Sequence, residues 1–361
     1  MTNERLSFSS LNKEVVERGI CAACYGCVSF CTANDLNVLS IEKDKPVYCD
    51  EESCLEDGIC YLICPRTHDL DRALKARYKY KDPIGSFVAI RSLRTTDSEI
   101  AQVCCDGGAV TGLLQFMLDT RRIDGAVLSK KESLWNNEPM IAMDFSDLLK
   151  CAGSSLAQSK SIRDLGELTT YASVFRALKK SDQLDVTKLA VVGTPCQIST
   201  IRKMQLLHIV PSHIVNFTIG LFCFENFLMH EQGTKFLARK IGASLDQVEK
   251  INLKEDFTVK LKNGKVEHID LDDLGPIIRP ACLSCTDFSN YSADISVGGV
   301  GSPEGYTTVL VRTQAAQRLI SLAVRQGYLE ETSIKDGLGK ISEMARRKKL
   351  RGEKVLAGKK R

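Results

Sequence analysis

Four cysteines lie within eleven residues near the start of the chain, in the stretch "CAACYGCVSFCT" that runs from Cys21 to Thr32. Such a group can form disulfides, hold a zinc ion or hold an iron–sulfur cluster. The 361 residues include 15 cysteines, an odd number that cannot pair completely, and the polar N-terminus shows no signal peptide. In a reducing cytosol, clustered cysteines are more often metal ligands or redox groups than disulfides. We therefore expect a metal or redox site.

The spacing of these cysteines, C-x2-C-x2-C-x3-C, predicts iron–sulfur ligation. Three thiolates on one tight loop can reach three irons of a cubane, whereas the fourth lies a helical turn further on and ligates a neighbouring cluster. A second set, which ends in "CYLICP", supplies the partner. Zinc would favour two separated C-x2-C pairs. We predict one 4Fe–4S cluster on Cys21, Cys24, Cys27 and Cys64, and another on Cys31, Cys49, Cys54 and Cys60.

Four further cysteines are dispersed along the chain: Cys196 in "GTPCQ", Cys223 in "GLFCFEN", and Cys282 and Cys285 in "RPACLSC". The first two follow strand-like runs, so that their side chains can project at a sheet edge. Spacing alone predicts a third cluster or a zinc ion equally well, and Cys223 on its own also fits buried packing. The remaining three are interpreted as small buried residues: Cys104, Cys105 and Cys151.

Glycine-rich stretches are a second source of candidate cofactor contacts. Gly107 and Gly108 precede a predicted helix, whose free N–H groups can hold a phosphate. A longer loop, Val297–Thr308, leads into a predicted strand, and Cys151–Ser159 is a polar loop. None of them has the G-x-G-x-x-G pattern of a nicotinamide site, and an ordinary tight turn explains each equally well.

Charge and histidine content exclude two classes of function. The net charge is +4, but the last 21 residues carry +7 and the preceding body −3, which does not describe a basic nucleic-acid groove. The five histidines form no triad and no metal-ligand spacing, so the sequence shows no apparatus for hydrolysis. The basic tail, 346–361, is interpreted as a solvated helix end, with docking on an acidic partner or an anionic membrane surface as the alternative.

The elements that must position these residues begin with a cysteine-rich segment, 1–80, which a basic stretch with Pro and Gly, 70–86, joins to the rest. From residue 87, strand-like and helix-like segments alternate. Strands are predicted in "FVAIRSLRT", "DGAVLSK", "PMIAMDF", "KLAVVGT" and "TTVLVRT", helices in "GAVTGLLQFMLDT", "PCQISTIRKMQLL", "AAQRLISLAVRQG" and "GLGKISEMARRKKL", and a hairpin around Asn263-Gly264. The longest apolar run, 214–224, is too short to cross a bilayer, so a soluble, cytoplasmic protein is expected.

Several of these motifs occur together, and in this order, in one known family. The stretches "DGGAVTGLL", "GTPCQ", "GLFCFENF", "CLSCTDF" and "ADISVGGVGSPEGYTTVLVRT" resemble the family of coenzyme F420 hydrogenase/dehydrogenase beta subunits, from about residue 88 to the C-terminal helix. The N-terminal segment is similar to that of the electron-input subunit of reduced-F420 dehydrogenases, which serve methanogenesis in archaea. The resemblance implies an α+β protein with a bacterial-type ferredoxin domain at 1–80, a mixed α/β flavin- and F420-binding domain at 81–335, and a basic C-terminal helix at 336–361.

The resemblance also implies the cofactors: one FAD, a third 4Fe–4S cluster held by the dispersed cysteines, and coenzyme F420 as substrate. Arg202 and Lys203 are candidates for binding the polyanionic F420 tail, with a salt-bridged surface helix as the alternative. This chain has Ser155-Leu156 where the family usually has Lys-Tyr. The other cofactor contacts carried over by position are Gly107, Gly108, Thr111, Gly153, Ser154, Ser159, Thr194, Glu225, Asn226, Gly298, Gly301, Ser302, Pro303 and Gly305.

The implied function is electron transfer between a two-electron carrier and one-electron carriers. F420 exchanges a hydride, a cluster carries one electron, and a flavin connects the two, so no catalytic side chain is predicted. The expected partners are subunits of a membrane dehydrogenase, a hydrogenase or a heterodisulfide reductase, or a ferredoxin, with peripheral membrane attachment through such a complex. The alternatives are an F420-reducing hydrogenase or heterodisulfide reductase beta subunit, an F420:ferredoxin oxidoreductase, an electron relay without its own substrate, and a zinc-binding interaction module.

Overall fold

An eight-stranded mixed sheet forms the centre of the computed structural model, which describes residues 6–156, 160–168, 186–254, 256–334 and 336–358. The strands are β1 (Leu39–Glu42), β2 (Lys45–Tyr48), β3 (Ala89–Thr95), β4 (Gly125–Lys131), β5 (Asn137–Ala142), β6 (Leu189–Gly193), β7 (Val215–Leu221), β8 (Val248–Leu253), β9 (Phe257–Leu261), β10 (Val266–Ile269), β11 (Ile295–Gly298), β12 (Thr307–Val311) and β13 (Leu329–Thr332). The central sheet has the order β13-β3-β12-β11-β7-β6-β4-β5, and β1–β2 and β8–β10 form two small antiparallel sheets.

The helices lie between these strands and at both ends of the chain. The α-helices in the described ranges are α1 (Phe8–Leu11), α2 (Gly26–Ala33), α3 (Ile59–Leu62), α4 (Asp71–Arg77), α5 (Ser98–Val103), α6 (Ala109–Asp119), α7 (Phe145–Cys151), α8 (Pro195–Leu206), α9 (Glu231–Ile241), α10 (Pro280–Leu283), α11 (Gln314–Arg325) and α12 (Gly337–Leu356). A π-helical turn, Asn12–Val16, extends α1, and 3-10 helices lie at Asp164–Leu168, Ser212–Ile214, Leu245–Gln247 and Leu271–Ile277. None of the described helices is long and apolar enough to cross a membrane.

The parallel part of the central sheet positions two of the dispersed cysteines. β4, β6, β7 and β11 are parallel neighbours, whereas both flanks of the sheet are antiparallel. All of β6 is buried, as expected of a parallel strand covered on both faces. The carboxyl ends of parallel strands meet at one edge, so the chain delivers Cys196 after β6, Cys223 after β7 and Gly298 at the end of β11 to the same edge.

Two apolar cores fix the helices around this sheet. α6 and α11 bury residues such as Phe116 and Ile320 against strands of the central sheet. A second core joins the small sheet β8–β10 to α9 and α12, with Phe257, Leu237 and Ile341 all buried. Because Ile341 belongs to this core, α12 is an integral element of the body.

The N-terminal segment has a core of its own, which the sequence analysis did not anticipate. Phe8, Leu11 and Val15 pack with the cysteine-bearing α2 and α3. This segment also meets the body closely: a Cβ atom added to Gly26 would lie 2.1 Å from Thr200 Cγ2. Only glycine allows α2 and α8 to approach to that distance.

The predicted mixed α/β body is confirmed, and so are the elements predicted in it after residue 87. The hairpin turns at Asn263-Gly264, where Gly264 adopts a φ of +87° between β9 and β10. The sequence analysis missed β1–β2, α9 and β13. The predicted domain boundaries at residues 80 and 335 stay predictions.

The interpretation of the basic tail as a solvated helix end is wrong for its central residues. Lys348 is only 1% exposed, and the Arg351 guanidinium lies 2.6 Å from the Glu225 carboxylate. The helix is also longer than predicted, because its buried stripe of Ile341, Met344 and Lys348 continues to Gly352.

Candidate functional site

The first predicted cysteine set surrounds a cavity in the N-terminal segment. Cys21, Cys24, Cys27 and Cys64 all line it, together with apolar residues of α1 and its extension. Burial raises the pKa of the Cys64 thiol, and the charges of Cys24 and Cys21 raise it further. The structure thus places Cys64 beside the first cysteine run, as the predicted exchange of ligands between the two runs requires.

The second predicted set shows the reciprocal exchange. Burial raises the pKa of Cys31, and the charges of Cys54 and Cys49 act in the same direction. Burial, the Asp57 carboxylate and Cys54 raise the pKa of Cys60 to about 12. Cys31 therefore lies with the later cysteines, although it belongs to the first run in sequence.

The dispersed cysteines come together around a second and larger cavity, of about 110 Å³. Cys196 is in the first turn of α8, Cys223 follows β7, Cys282 is in α10, and Cys285 lies two residues beyond that helix. Burial, followed by the charge of Cys24, raises the pKa of Cys196 to about 11. All four thiols line this cavity, which confirms neither a cluster nor zinc but shows that the four residues share one site.

The two cavities are neighbours. Ala22 and Pro65 line both of them. One face of α8 also connects them: Cys196 lies at the larger cavity, Thr200 Oγ1 is 3.5 Å from Cys24 Sγ, and Lys203 Nζ donates to the Cys64 carbonyl at 2.8 Å. Residues four and seven positions apart share a helix face, and seven residues span about 10 Å. We name these sites the N-terminal cavity and the body cavity.

The donor chemistry of both cavities fits iron–sulfur clusters. Each is lined by four thiols, the ligands that such clusters use. Within the described ranges, no group of three or more His, Cys, Asp or Glu side chains has the geometry to hold a single metal ion. Ligation by the twelve cysteines stays a prediction.

The structure does not support a role for Arg202 and Lys203 at the F420 tail. Arg202 is 9% exposed; it donates to the Ser292 carbonyl and lies 2.9 Å from the Asp294 carboxylate. Lys203 is fully buried and lies 3.1 Å from the Asp71 carboxylate. Both cations have internal partners, so neither is available to an anion at the surface, and the surface-helix alternative is wrong as well.

Two cations of α12 border the body cavity, and sequence reasoning missed them. Lys348 Nζ donates to the Cys223 carbonyl at 2.5 Å and lines the cavity. Arg351 pairs with Glu225, and its guanidinium lies 4.7 Å from the centre of the Phe224 ring. The signal was present in the sequence, because Lys348 continues the apolar spacing of Ile341 and Met344 along one helix face.

Three predicted cofactor residues also belong to the body cavity. Thr194 caps α8 and its Oγ1 lies 3.1 Å from Cys196 Sγ. The backbone N–H of Asn226 donates to Cys282 Sγ at 3.3 Å, while Glu225 is held by Arg351. These positions associate them with the four thiols and not with the glycine loops.

The glycines before α6 have a structural reason in the chain itself. A Cβ atom on Gly107 would meet the Leu93 carbonyl and the backbone of Thr307, so β3 and β12 leave no room for a side chain there. Gly108 is the N-cap of α6 with a φ of +65°, and no side chain caps this helix in the described structure. Thr111 lies in its first turn and is half-buried.

The polar loop after α7 approaches the same helix. A Cβ atom on Gly153 would lie 2.8 Å from the Val103 carbonyl and 3.1 Å from Lys131 Nζ. Ser154 beside it is half-buried, whereas Ser159 lies outside the described residues. Of the two positions that depart from the family pattern, Leu156 is buried, and its N–H donates to the Leu134 carbonyl.

The third glycine loop closes this group. A Cβ atom on Gly299 would collide with Asp106, which pairs with Lys254 at 2.7 Å. Gly301 has a φ of +97° and faces Gly337 at the start of α12. Further contacts within the loop are a 2.6 Å contact between the hydroxyls of Ser302 and Thr308, Pro303 accepting from the Tyr306 N–H, a Gly305 φ of +76°, and Gly298 against Phe222.

The leftover cysteines lie near these loops. Cys104 is buried, whereas Cys105 and Cys151 are half-buried. Burial raises the pKa of Cys151 to about 12, so its thiol is not an activated nucleophile.

Comparison with known proteins identifies the family. The family model for the N-terminal part of the coenzyme F420 hydrogenase/dehydrogenase beta subunit matches residues 91–163, and the model for its C-terminal part matches residues 186–337. The beta subunit of the coenzyme F420 hydrogenase of Methanothermobacter thermautotrophicus is 33% identical over 285 residues, which cover 77% of this chain and 96% of the relative. The chain therefore belongs to the family of coenzyme F420 hydrogenase/dehydrogenase beta subunits, and the family predicted from the motifs is confirmed.

Two other relatives extend into the N-terminal segment or beyond this chain. The F-type subunit of the F420H2 dehydrogenase of Methanosarcina mazei is 26% identical over 351 residues, covering 92% of this chain and 91% of the relative. The coenzyme F420-dependent sulfite reductase of Methanocaldococcus jannaschii is 30% identical over 322 residues and matches 85% of this chain. The chain spans less than half, 46%, of that protein.

A solved structure supports the fold. A chain of the F420-reducing [NiFe] hydrogenase complex from Methanosarcina barkeri superimposes with a TM-score of 0.68 at 31% sequence identity. The superposition covers 77% of this chain and 94% of that chain. The α/β body with its large mixed sheet is thus the fold of this family.

Proposed function

We propose that this chain is a coenzyme F420-dependent oxidoreductase subunit that moves electrons between F420 and a partner protein through a bound FAD and three 4Fe–4S clusters. The family membership supports the F420 dependence. The observation that carries the electron path is the grouping of the thiols around two cavities that share Ala22 and Pro65.

The chain's own residues define the path for electrons. Cys21, Cys24, Cys27 and Cys64 would hold one cluster, the body cavity a second, and the set that contains Cys31 a third. α8 fixes the first two relative to each other, because it carries Cys196 at one end and contacts Cys24 and Cys64 further along. A partner protein would receive electrons from the N-terminal segment, where Cys49 is exposed.

The glycine loops around α6 are the proposed FAD site. The N-terminus of α6 has no side-chain cap in the described structure, and Lys131 lies beside Gly153. An uncapped helix N-terminus and a nearby ammonium both favour a phosphate group. When bound, a flavin accepts two electrons at once and releases them singly. The residues Gly108, Thr111 and Ser154 would orient it, and Asp106 and Lys254 would border it.

Quantitation of iron, sulfide and flavin in the anaerobically purified chain tests this proposal. We expect about twelve irons, from three cubanes, and one flavin per chain. Anaerobic addition of reduced F420 should bleach the flavin absorbance. Cys282→Ala should lose about four irons, whereas Cys151→Ala, which lies outside the predicted ligand sets, should keep all of them. Four or eight irons in the unchanged chain, or a colourless protein with zinc, would refute the three-cluster assignment.

A further inference from the structure

The body cavity has a buried ammonium group in its wall. Lys348 is 1% exposed, it lines the cavity, and its Nζ donates to the Cys223 carbonyl at 2.5 Å. A lysine side chain is ordinarily protonated at neutral pH. A positive charge is therefore held against the backbone of one of the four cysteines, in a region from which water is excluded.

No carboxylate cancels this charge at close range. In the described part of the chain, Lys348 forms no ion pair, and Asp287 acts on it only through space. The next cation of the same helix face, Arg351, is neutralised by Glu225 at 2.6 Å. The thiolates of Cys223, Cys282 and Cys285 are the other negative charges that act on Lys348.

The position of this ammonium is fixed by the helix that carries it. α12 is anchored near its start, where Gly337 lies against Gly301. It is anchored again past Lys348, because a Cβ atom on Gly352 would lie only 2.8 Å from the Cys285 carbonyl oxygen. The matched part of the family's C-terminal model ends at residue 337, so this contact lies beyond it.

We propose that Lys348 is a positioning residue that raises the reduction potential of the cluster held by Cys196, Cys223, Cys282 and Cys285. This inference rests on the proposed function, because it requires that cluster. Reduction adds one electron, and hence one negative charge, to the four-thiolate cluster. A nearby positive charge in a region of low dielectric stabilises the reduced form more than the oxidised form, and net charge near a cluster is a known determinant of its potential.

Redox titration of the anaerobically purified full chain, followed by electron paramagnetic resonance, tests this inference. The signal of the body cluster is identified first, as the one lost in Cys282→Ala. We expect Lys348→Met to lower its midpoint potential by at least ~59 mV, a tenfold change in the one-electron equilibrium constant. Lys348→Arg should retain the potential, and Arg346→Met, which removes an exposed cation from the same helix, should leave it unchanged.

The outcomes separate this inference from the proposed function. The midpoint is read from the loaded fraction, so incomplete loading does not affect it, and Lys348→Gln provides the same charge removal with a hydrogen-bond donor kept. An unchanged midpoint in both neutral variants would overturn the role of Lys348 while leaving the cluster in place. Absence from the unchanged chain of any signal sensitive to Cys282→Ala would instead overturn the proposed body cluster.

Discussion

The N-terminal cavity and the body cavity each have a buried lysine that donates to the carbonyl of a lining cysteine. Lys203 reaches the Cys64 carbonyl at 2.8 Å, and Lys348 reaches the Cys223 carbonyl at 2.5 Å. The hydrogen bonds are alike, but the charges are balanced differently. Lys203 lies 3.1 Å from the Asp71 carboxylate, whereas Lys348 has no ion-pair partner in the described structure.

This difference separates a structural role from an electrostatic one. Burial opposes the ionisation of Asp71, but its hydrogen bond with His68 and the Lys203 charge lower its pKa to about 2. Asp71 is therefore ionised at neutral pH, and the Lys203–Asp71 pair adds little net field at the N-terminal cavity. The Lys348 charge stays uncompensated at short range, so it acts on whatever the body cavity holds.

The largest expected effect comes from removing a ligand from one cavity only. Cys64→Ala should lose about four irons and the signal of one N-terminal cluster, because four thiolates hold each cubane. The body cluster should keep its midpoint potential, since Cys64 does not line the body cavity. Iron quantitation and paramagnetic resonance on the same sample check both points. Loss of the body-cluster signal in this variant would show that the two cavities are not independent sites.

The next effect is on stability, at Lys203. Lys203→Met should destabilise the folded chain by somewhat less than the ~3–5 kcal/mol expected for breaking a fully buried pair, because the Asp71 side chain is 30% exposed. Urea unfolding of the loaded protein, followed by circular dichroism, measures the loss.

The double variant Lys203→Met/Asp71→Asn is the matched control for this measurement. It removes both charges of the pair, so we expect it to be more stable than the sum of the two single variants predicts. Simple additivity of the three measurements would mean that Lys203 acts through its hydrogen bond to Cys64 alone, and the contrast with Lys348 would then lose its basis.

The sequence predicted what short segments determine. The exchange of Cys31 and Cys64 between the two runs follows from spacing, and Cys196 and Cys223 could be placed at a sheet edge because each comes directly after a strand-like run. The two lysines could not be placed in this way. Their contacts join residues 139 and 125 positions apart, and no local pattern specifies which carbonyl a buried ammonium reaches.

The same limit explains the errors at the cofactor loops and in the tail. Arg202 and Lys203 look like exposed cations on a polar helix, because their burial depends on the N-terminal segment and on Asp294, which are remote in sequence. Gly107 has a visible motif, but its cause is the packing of β3 and β12 around it.

A smaller effect is expected where α12 is anchored. Gly301 has a φ of +97° and faces Gly337, so Gly301→Ala should cost more than the ~1–2 kcal/mol of a left-handed alanine alone. Gly305→Ala is the matched control, because Gly305 also has a positive φ but has nothing within 4 Å of an added Cβ atom. Urea midpoints of both variants give the comparison. Equal losses would mean that the contact between the glycine loop and α12 does not hold the helix in place.

The smallest effect is expected one residue from Lys348. Lys349 pairs with Asp82, and their side chains are 32% and 56% exposed. Surface pairs of this kind contribute about 0–1 kcal/mol, so Lys349→Met should change stability by about 0.5 kcal/mol or less. Because solvent screens the lost charge, the body-cluster potential should also stay within experimental error of the unchanged chain. A shift as large as that of Lys348→Met would show that the helix contributes a diffuse positive field, and that burial of one ammonium is not what distinguishes the two cavities.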